Sequence, residues 1–224
     1  LKEVLVQVLK LDTIPVSKHM VLSGIKQKGL AFGFIAGMLT SEQNFQGKLP
    51  FIQNLVRGHA VEGVYNHSNG IGDVAEIFAL NYFGKSPNTG RLLLENWSRF
   101  HEANRDNPDA KYVQFCFSQG AIHVKNALKS CPKEIRDHII VIAIGPGAII
   151  TDDMAFDALN IASSSDLVPL GERVHAFLTP SSPFSGATRF MQALEDSRQL
   201  VRAQAHPNEG FMGHDIDNPA FGER

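Results

Sequence analysis

The chain has 224 residues, 43% of them hydrophobic and 20% charged, so it is long enough for one domain with a sizeable core. Its net charge is −2 and no basic cluster stands out, which excludes a surface of concentrated Lys and Arg, and no nucleic-acid partner is expected. The longest apolar runs, such as residues 139–144, are far too short to span a bilayer.

The two cysteines, Cys116 and Cys131, lack metal-ligand spacing, and nothing requires a bridge between them, so a reducing compartment is the simpler expectation. The chain begins at Leu1 without a signal-peptide pattern. It reads as a fragment or a processed form, and the expectation is a cytoplasmic protein, or one secreted without a visible signal peptide.

In chain order, residues 4–9 predict a first strand and residues 19–23 a second short one. Phe32, Phe34 and Ile35 predict a strand that ends at Gly37. Thr40 followed by Gln43 resembles a capping box, with Ser41 the alternative cap, so a helix follows to about His59, broken near Pro50. The loop Gly37-Met38-Leu39 lies at the carboxyl edge of the sheet if the strands are parallel. There Gly37 lets the backbone approach a ligand and the Met38 amide is free to donate; an ordinary strand-to-helix turn is the competing reading.

Residues 61–67 predict another strand, closed by a turn over 68–73 and followed by a helix with Val74, Ile77 and Phe78 inward. The pair Gly70-x-Gly72 lacks the rest of a phosphate-loop fingerprint. Asn66 and His67 either line a pocket or belong to a surface turn. Residues 85–90 read as a loop, and residues 92–104 as a helix with Leu93, Trp97 and Phe100 on one stripe.

Residues 111–128 are the stretch around which the chain is organised. Val113, Phe115 and Phe117 fall on one side of a buried strand and Cys116 on the other. Ala121, Val124, Ala127, Leu128 and Cys131 then recur at helical spacing. Ser118-Gln119-Gly120 joins the halves with no loop to spare, which leaves Ser118 at the sheet's carboxyl edge. This is the context of a nucleophile elbow, G-x-S-x-G, with Cys116 in place of the first glycine and Gly120 as the second. Small residues flank such a serine because strand and helix pack closely around a strained turn. A serine that merely N-caps a core helix is the competing reading.

Residues 139–144 are continuously branched and apolar, the pattern of a strand covered on both faces, and they end in the loop Gly145-Pro146-Gly147. Residues 156–163 predict a further strand, with Asp166 just beyond it. A short strand at 173–178 precedes a helix over residues 186–205, with Phe190, Leu194, Leu200 and Val201 apolar; a loop-like tail carries His214. The alternation predicts an α/β fold, one domain over residues 1–224 with a mostly parallel sheet and helices on both faces.

Ser118, Asp166 and His214 occur in the order nucleophile, acid, histidine. A serine hydroxyl is a weak nucleophile until a histidine takes its proton, and the histidine needs a carboxylate to fix its tautomer. The oxyanion needs two donors, and the Met38 and Gln119 amides are the candidates. Asp152 and Asp153 compete as acids but read as a solvated or capping pair. Among the nine histidines, His123 faces helices or solvent, His175 lies within a strand and His206 closes a helix. No H-E-x-x-H or similar spacing is present, so neither a metal nor a cofactor is expected.

The elbow Cys116-Phe117-Ser118-Gln119-Gly120-Ala121, the Gly145-Pro146-Gly147 loop and the turn Ser165-Asp166-Leu167-Val168-Pro169 resemble the lipase/esterase-type branch of the α/β-hydrolases. The stretch Gly63-Val64-Tyr65-Asn66-His67-Ser68-Asn69-Gly70, taken with the serine motif, is similar to hydrolase-like chlamydial proteins of unknown function. The first resemblance implies an α/β-hydrolase-like fold without a large cap domain, with Ser118 as nucleophile, Asp166 as acid and His214 as base. It implies a serine hydrolase acting on a small-molecule or lipid ester or thioester through an acyl-serine. Phe34, Met38, Phe211 and Met212 either supply the apolar acyl site or belong to the core. Cys116 at the glycine position favours the alternative, a hydrolase fold that no longer catalyses and serves as a binding or interaction module such as an effector. A Rossmann-type nucleotide binder shares the sheet but lacks the glycine fingerprint.

Overall fold

The computed structural model describes residues 17–37, 40–66, 87–163 and 200–203. Its strands are β1 (Lys18–Leu22), β2 (Leu30–Ile35), β3 (Val61–Tyr65), β4 (Lys111–Phe117), β5 (Ile139–Ile144), β6 (Asp157–Ser163) and β7 (Leu200–Ala203). Its helices are α1 (Glu42–Leu55), α2 (Pro87–Ala103), α3 (Gln119–Ser130) and the short α4 (Lys133–Arg136). The strands form one sheet in the order β1-β3-β2-β4-β5-β6-β7. Only the β1–β3 pair at the edge is antiparallel; the other described pairs are parallel, so the carboxyl ends of β2 to β7 share one edge.

Strand alternation divides the core in two. Phe34, Val61, Tyr65, Phe115 and Phe117 point to one face and pack with Phe45, Leu49 and Ile52 of α1. Ile35, Val64, Tyr112, Cys116, Ile139, Val141 and Ala143 point to the other and pack with Leu93 and Trp97 of α2, Val124 and Leu128 of α3 and Ile135 of α4. Helices thus cover both faces, and parallel strands require such cover. The buried Gln114 in β4 accepts a bond from Trp97 Nε1 at 3.2 Å and donates to the Phe115 carbonyl at 2.9 Å, so the core face carries its polar group satisfied. Among the described residues no helix is long and apolar enough to cross a membrane.

Several elements differ from their sequence expectation. Ser41, not Thr40, caps α1, its Oγ accepting from the Asn44 amide at 3.1 Å. That helix ends at Leu55 rather than His59, and Pro50 sits inside it without breaking it. The loop expected over residues 85–90 is already helical from Pro87, a residue whose missing N–H suits a first turn. Ile140 and Ile142 are half-buried, so β5 is fully covered on one face only among the described residues. Leu200 and Val201, expected on a helix, lie in β7, where they pair with Asn160 and Ile161 of β6. A neighbouring strand that offers parallel pairing overrides local helical periodicity. The strands expected at residues 4–9 and 173–178 and the helix after residue 73 lie outside the described residues.

Candidate active site

β4 passes into α3 through Ser118 alone, and the turn is paid for in backbone strain. Ser118 has φ 53° and ψ −124°. The other described non-glycine residue with positive φ is Arg57, which follows the last turn of α1, where left-handed residues commonly end helices. Ser118 stands at a helix start, where no such conformation is needed. A strained φ/ψ of this kind costs about 1–3 kcal/mol and persists only where the surroundings impose it. The Ser118 side chain makes no capping bond, which removes the reading of a simple N-cap.

The surroundings that impose the turn are visible. Ser118 N–H donates to the Ile144 carbonyl at 3.3 Å. Its carbonyl accepts from the Ala121 amide at 3.0 Å and from the Gly147 amide at 2.9 Å, so the Gly145-Pro146-Gly147 loop is tied to the elbow. That loop is in turn held to β6 by the Gly145 N–H, which donates to the Ile161 carbonyl at 2.7 Å, and just beyond it Asn160 bonds both the amide and the carbonyl of Ile150, at 3.1 and 2.8 Å. Gly120 fits because a Cβ there would stand 2.8 Å from the Ile35 carbonyl oxygen and 2.9 Å from that of Ala36. The end of β2 therefore lies directly against the start of α3. Cys116 takes the other small position without disturbing it: the side chain is 1% exposed, packs with Ala121 and Val124, and burial pushes its thiol far above the ordinary range.

Ser118, Gln119 and Gly37 meet at this edge. Ser118 is 6% and Gln119 2% exposed. The Gln119 amide is the first of α3, and amides of a first helical turn have no partner within the helix. Met38, Asp166, Phe211, Met212 and His214 lie outside the described residues. Phe34 is 1% exposed and stacks on Phe45 with ring centroids 5.4 Å apart, which places its ring in the core rather than on an open face. Asp152 accepts from the Ala158 amide at 3.2 Å and so caps the start of β6. Among the described residues no group of three or more His, Cys, Asp or Glu could hold a metal ion.

Beside the elbow lies a buried polar cluster that sequence reading did not assemble. Asn66, just past β3, donates from Nδ2 to Gln119 Oε1 at 3.3 Å and lies 3.1 Å from His123 Nε2. Its Oδ1 accepts from Thr89 Oγ1 at 2.9 Å, and Thr89 meets Ser17 Oγ at 2.8 Å. His123 is 1% exposed, so it faces the interior and not solvent, and Asn66 is buried rather than part of a surface turn. A signal was present: Gln119, His123 and Asn126 recur at i, i+4 and i+7, a polar stripe on a helix whose other positions are mostly apolar.

A mostly parallel sheet with a strained serine between strand and helix at its carboxyl edge is an α/β-hydrolase-like arrangement. A family model described as a protein of unknown function (DUF687) matches residues 25–158. No curated protein matches the chain. Among solved structures, the chain is similar to a carboxylesterase from Bacillus cereus, at 11% identity and a TM-score of 0.49, over 96% of this chain and 94% of that one. It is similar to LpqC, a poly(3-hydroxybutyrate) depolymerase from Bordetella parapertussis, at 13% identity and a TM-score of 0.48, over 86% and 79%. It is also similar to a dienelactone hydrolase from Anabaena variabilis, at 14% identity and a TM-score of 0.46, over 90% and 85%. Identities this low attach no activity to the chain.

Proposed function

The chain belongs to the DUF687 family of proteins of unknown function, and for this member we propose a function from its site: a serine hydrolase cleaving a carboxylic ester or thioester through an acyl-serine intermediate. The observation that supports this reading is the backbone of Ser118, a non-glycine residue held at φ 53° between strand and helix without a capping role. Strain of this kind in a residue with a nucleophilic side chain, at the carboxyl edge of a parallel sheet, serves chemistry better than it serves folding.

In the proposed reaction Ser118 Oγ attacks the substrate carbonyl carbon as His214 takes its proton, and Asp166 stabilises the imidazolium that forms. The carbonyl oxygen becomes an oxyanion that accepts from the Gln119 and Met38 amides. Collapse expels the alcohol or thiol, which leaves with the proton from His214. Water then attacks the acyl-serine, giving one proton to His214; the carboxylic acid departs and Ser118 Oγ regains that proton. Phe211 and Met212 are assigned to the acyl site, and Phe34 is left to the core.

The test is labelling with a fluorophosphonate probe of the wild type, Ser118→Ala and His214→Ala. Labelling of the wild type and its loss in both variants is the expected result. No labelling of well-folded wild-type protein would overturn the proposal and leave the edge around Ser118 as a binding surface.

A further inference from the structure

The cluster behind the elbow has an internal logic. The Asn66 Nδ2 group can only donate, so in this contact His123 Nε2 is the acceptor. The same Nδ2 group holds Gln119 Oε1, while among the described residues the buried Gln119 Nε2 has no hydrogen-bond partner. A buried amide nitrogen in that state costs stability, and an apolar side chain would pack there without the cost. The fold keeps Gln119 all the same, and among the described residues its side chain is held through Asn66 Nδ2.

Gln119 and His123 lie one turn apart on the same stripe of α3. One side-chain amide that grips both fixes the rotation of the helix's first turn about its axis. That rotation sets the direction of the Gln119 N–H. Oxyanion donors act only when aimed at the oxygen to within tenths of an ångström. Thr89 and Ser17 anchor the other end of the Asn66 amide, so its orientation is set from α2 and from the residue preceding β1.

We infer that Asn66 is a positioning residue of the elbow: through Gln119 and His123 it aims the Gln119 backbone N–H at the oxyanion. This rests on the reading of Ser118 as nucleophile and of that N–H as donor.

The experiment compares wild type, Asn66→Ala, Gln119→Leu and the double variant in fluorophosphonate labelling rate, in kcat and KM on a p-nitrophenyl ester, and in thermal unfolding. Each single variant is expected to lower the labelling rate and kcat about 10-fold, part of what removal of a whole donor costs, with KM little changed. The double variant falls no further than Asn66→Ala, because that change already removes the contact with Gln119. Gln119→Leu also removes the orphaned amide, so its Tm holds or rises while its reactivity drops. A lowered Tm with the labelling rate of the folded protein unchanged would overturn the inference, since that is the outcome of a purely structural contact. If the wild type is not labelled at all, the hydrolase reading fails, and nitrogen-15 NMR then decides the positioning role. The Gln119 backbone amide resonance is expected to move in Asn66→Ala and His123 Nε2 to be unprotonated in the wild type; an unmoved Gln119 amide overturns it.

Discussion

Gly37 lies so close to Ser118 that a Cβ on it would stand 2.6 Å from the serine Cβ and 3.1 Å from its Oγ. The end of β2 and the elbow after β4 thus share one van der Waals contact, with no room for a side chain between them. Gly37→Ala forces Ser118 to move, because the contact is with the proposed nucleophile itself. A displacement of about 1 Å at a nucleophile costs on the order of 100-fold in rate. The expected outcome is a loss of that size in fluorophosphonate labelling, with circular dichroism unchanged. Wild-type labelling in Gly37→Ala would show that Ser118 tolerates the shift and that its placement is not critical.

The strain at Ser118 is itself measurable. Glycine adopts φ 53° without the steric penalty that alanine and serine carry. Ser118→Gly is therefore expected to be more stable than Ser118→Ala by about 1 kcal/mol in urea denaturation. Equal midpoints for the two variants would mean that the turn relaxes once the hydroxyl is gone.

Cys116 departs from the elbow pattern but serves the core. Its side chain packs with Ala121 and Val124 on the face of α2 and α3. Cys116→Gly restores the motif, yet it removes buried volume and loosens a strand, together worth about 2 kcal/mol. The urea midpoint is expected to fall while the labelling rate of the folded protein stays at the wild-type value. A marked gain in labelling would instead show that the thiol impedes the nucleophile.

The buried thiols predict an alkaline loss of stability. Burial pushes the Cys116 thiol far up and the Cys131 thiol up to about 12. Both exceed the ordinary value of 9.0, so above it the unfolded chain releases protons that the folded chain retains. Stability from this source is complete below about pH 9 and is lost as the pH rises from there toward the folded values. Urea midpoints measured from about pH 7 to about pH 10 are expected to stay level and then fall, and to fall less in Cys116→Ala. An equal fall in that variant would assign the effect to other groups, with the buried Tyr112, also raised by burial, the first to examine.

Much of this site is local and therefore legible in one dimension. Residues 111–128 carry alternation that becomes helical periodicity at Ser118, and β4 and α3 meet there. The loop at Gly145 and the end of β2 were likewise marked by glycine after an apolar run. β7 was not legible, because Leu200 and Val201 suit a helix as well as a strand until β6 is beside them. Asn66 was equally ambiguous, since an asparagine after a strand is most often a turn residue, and only contact with α3 gives it another role.

By itself the sequence determined the parallel α/β plan, the two faces of β4 and the serine at the sheet's edge, because each follows from the spacing of apolar and small residues along the chain. Only the tertiary structure decided the strain of Ser118, its contact with Gly37, the buried place of Cys116 and the grip of Asn66 on Gln119 and His123. Those depend on which segments stand within a few ångströms of one another, and that is fixed when β2, β3 and β4 pair in register, not by any residue's immediate neighbours.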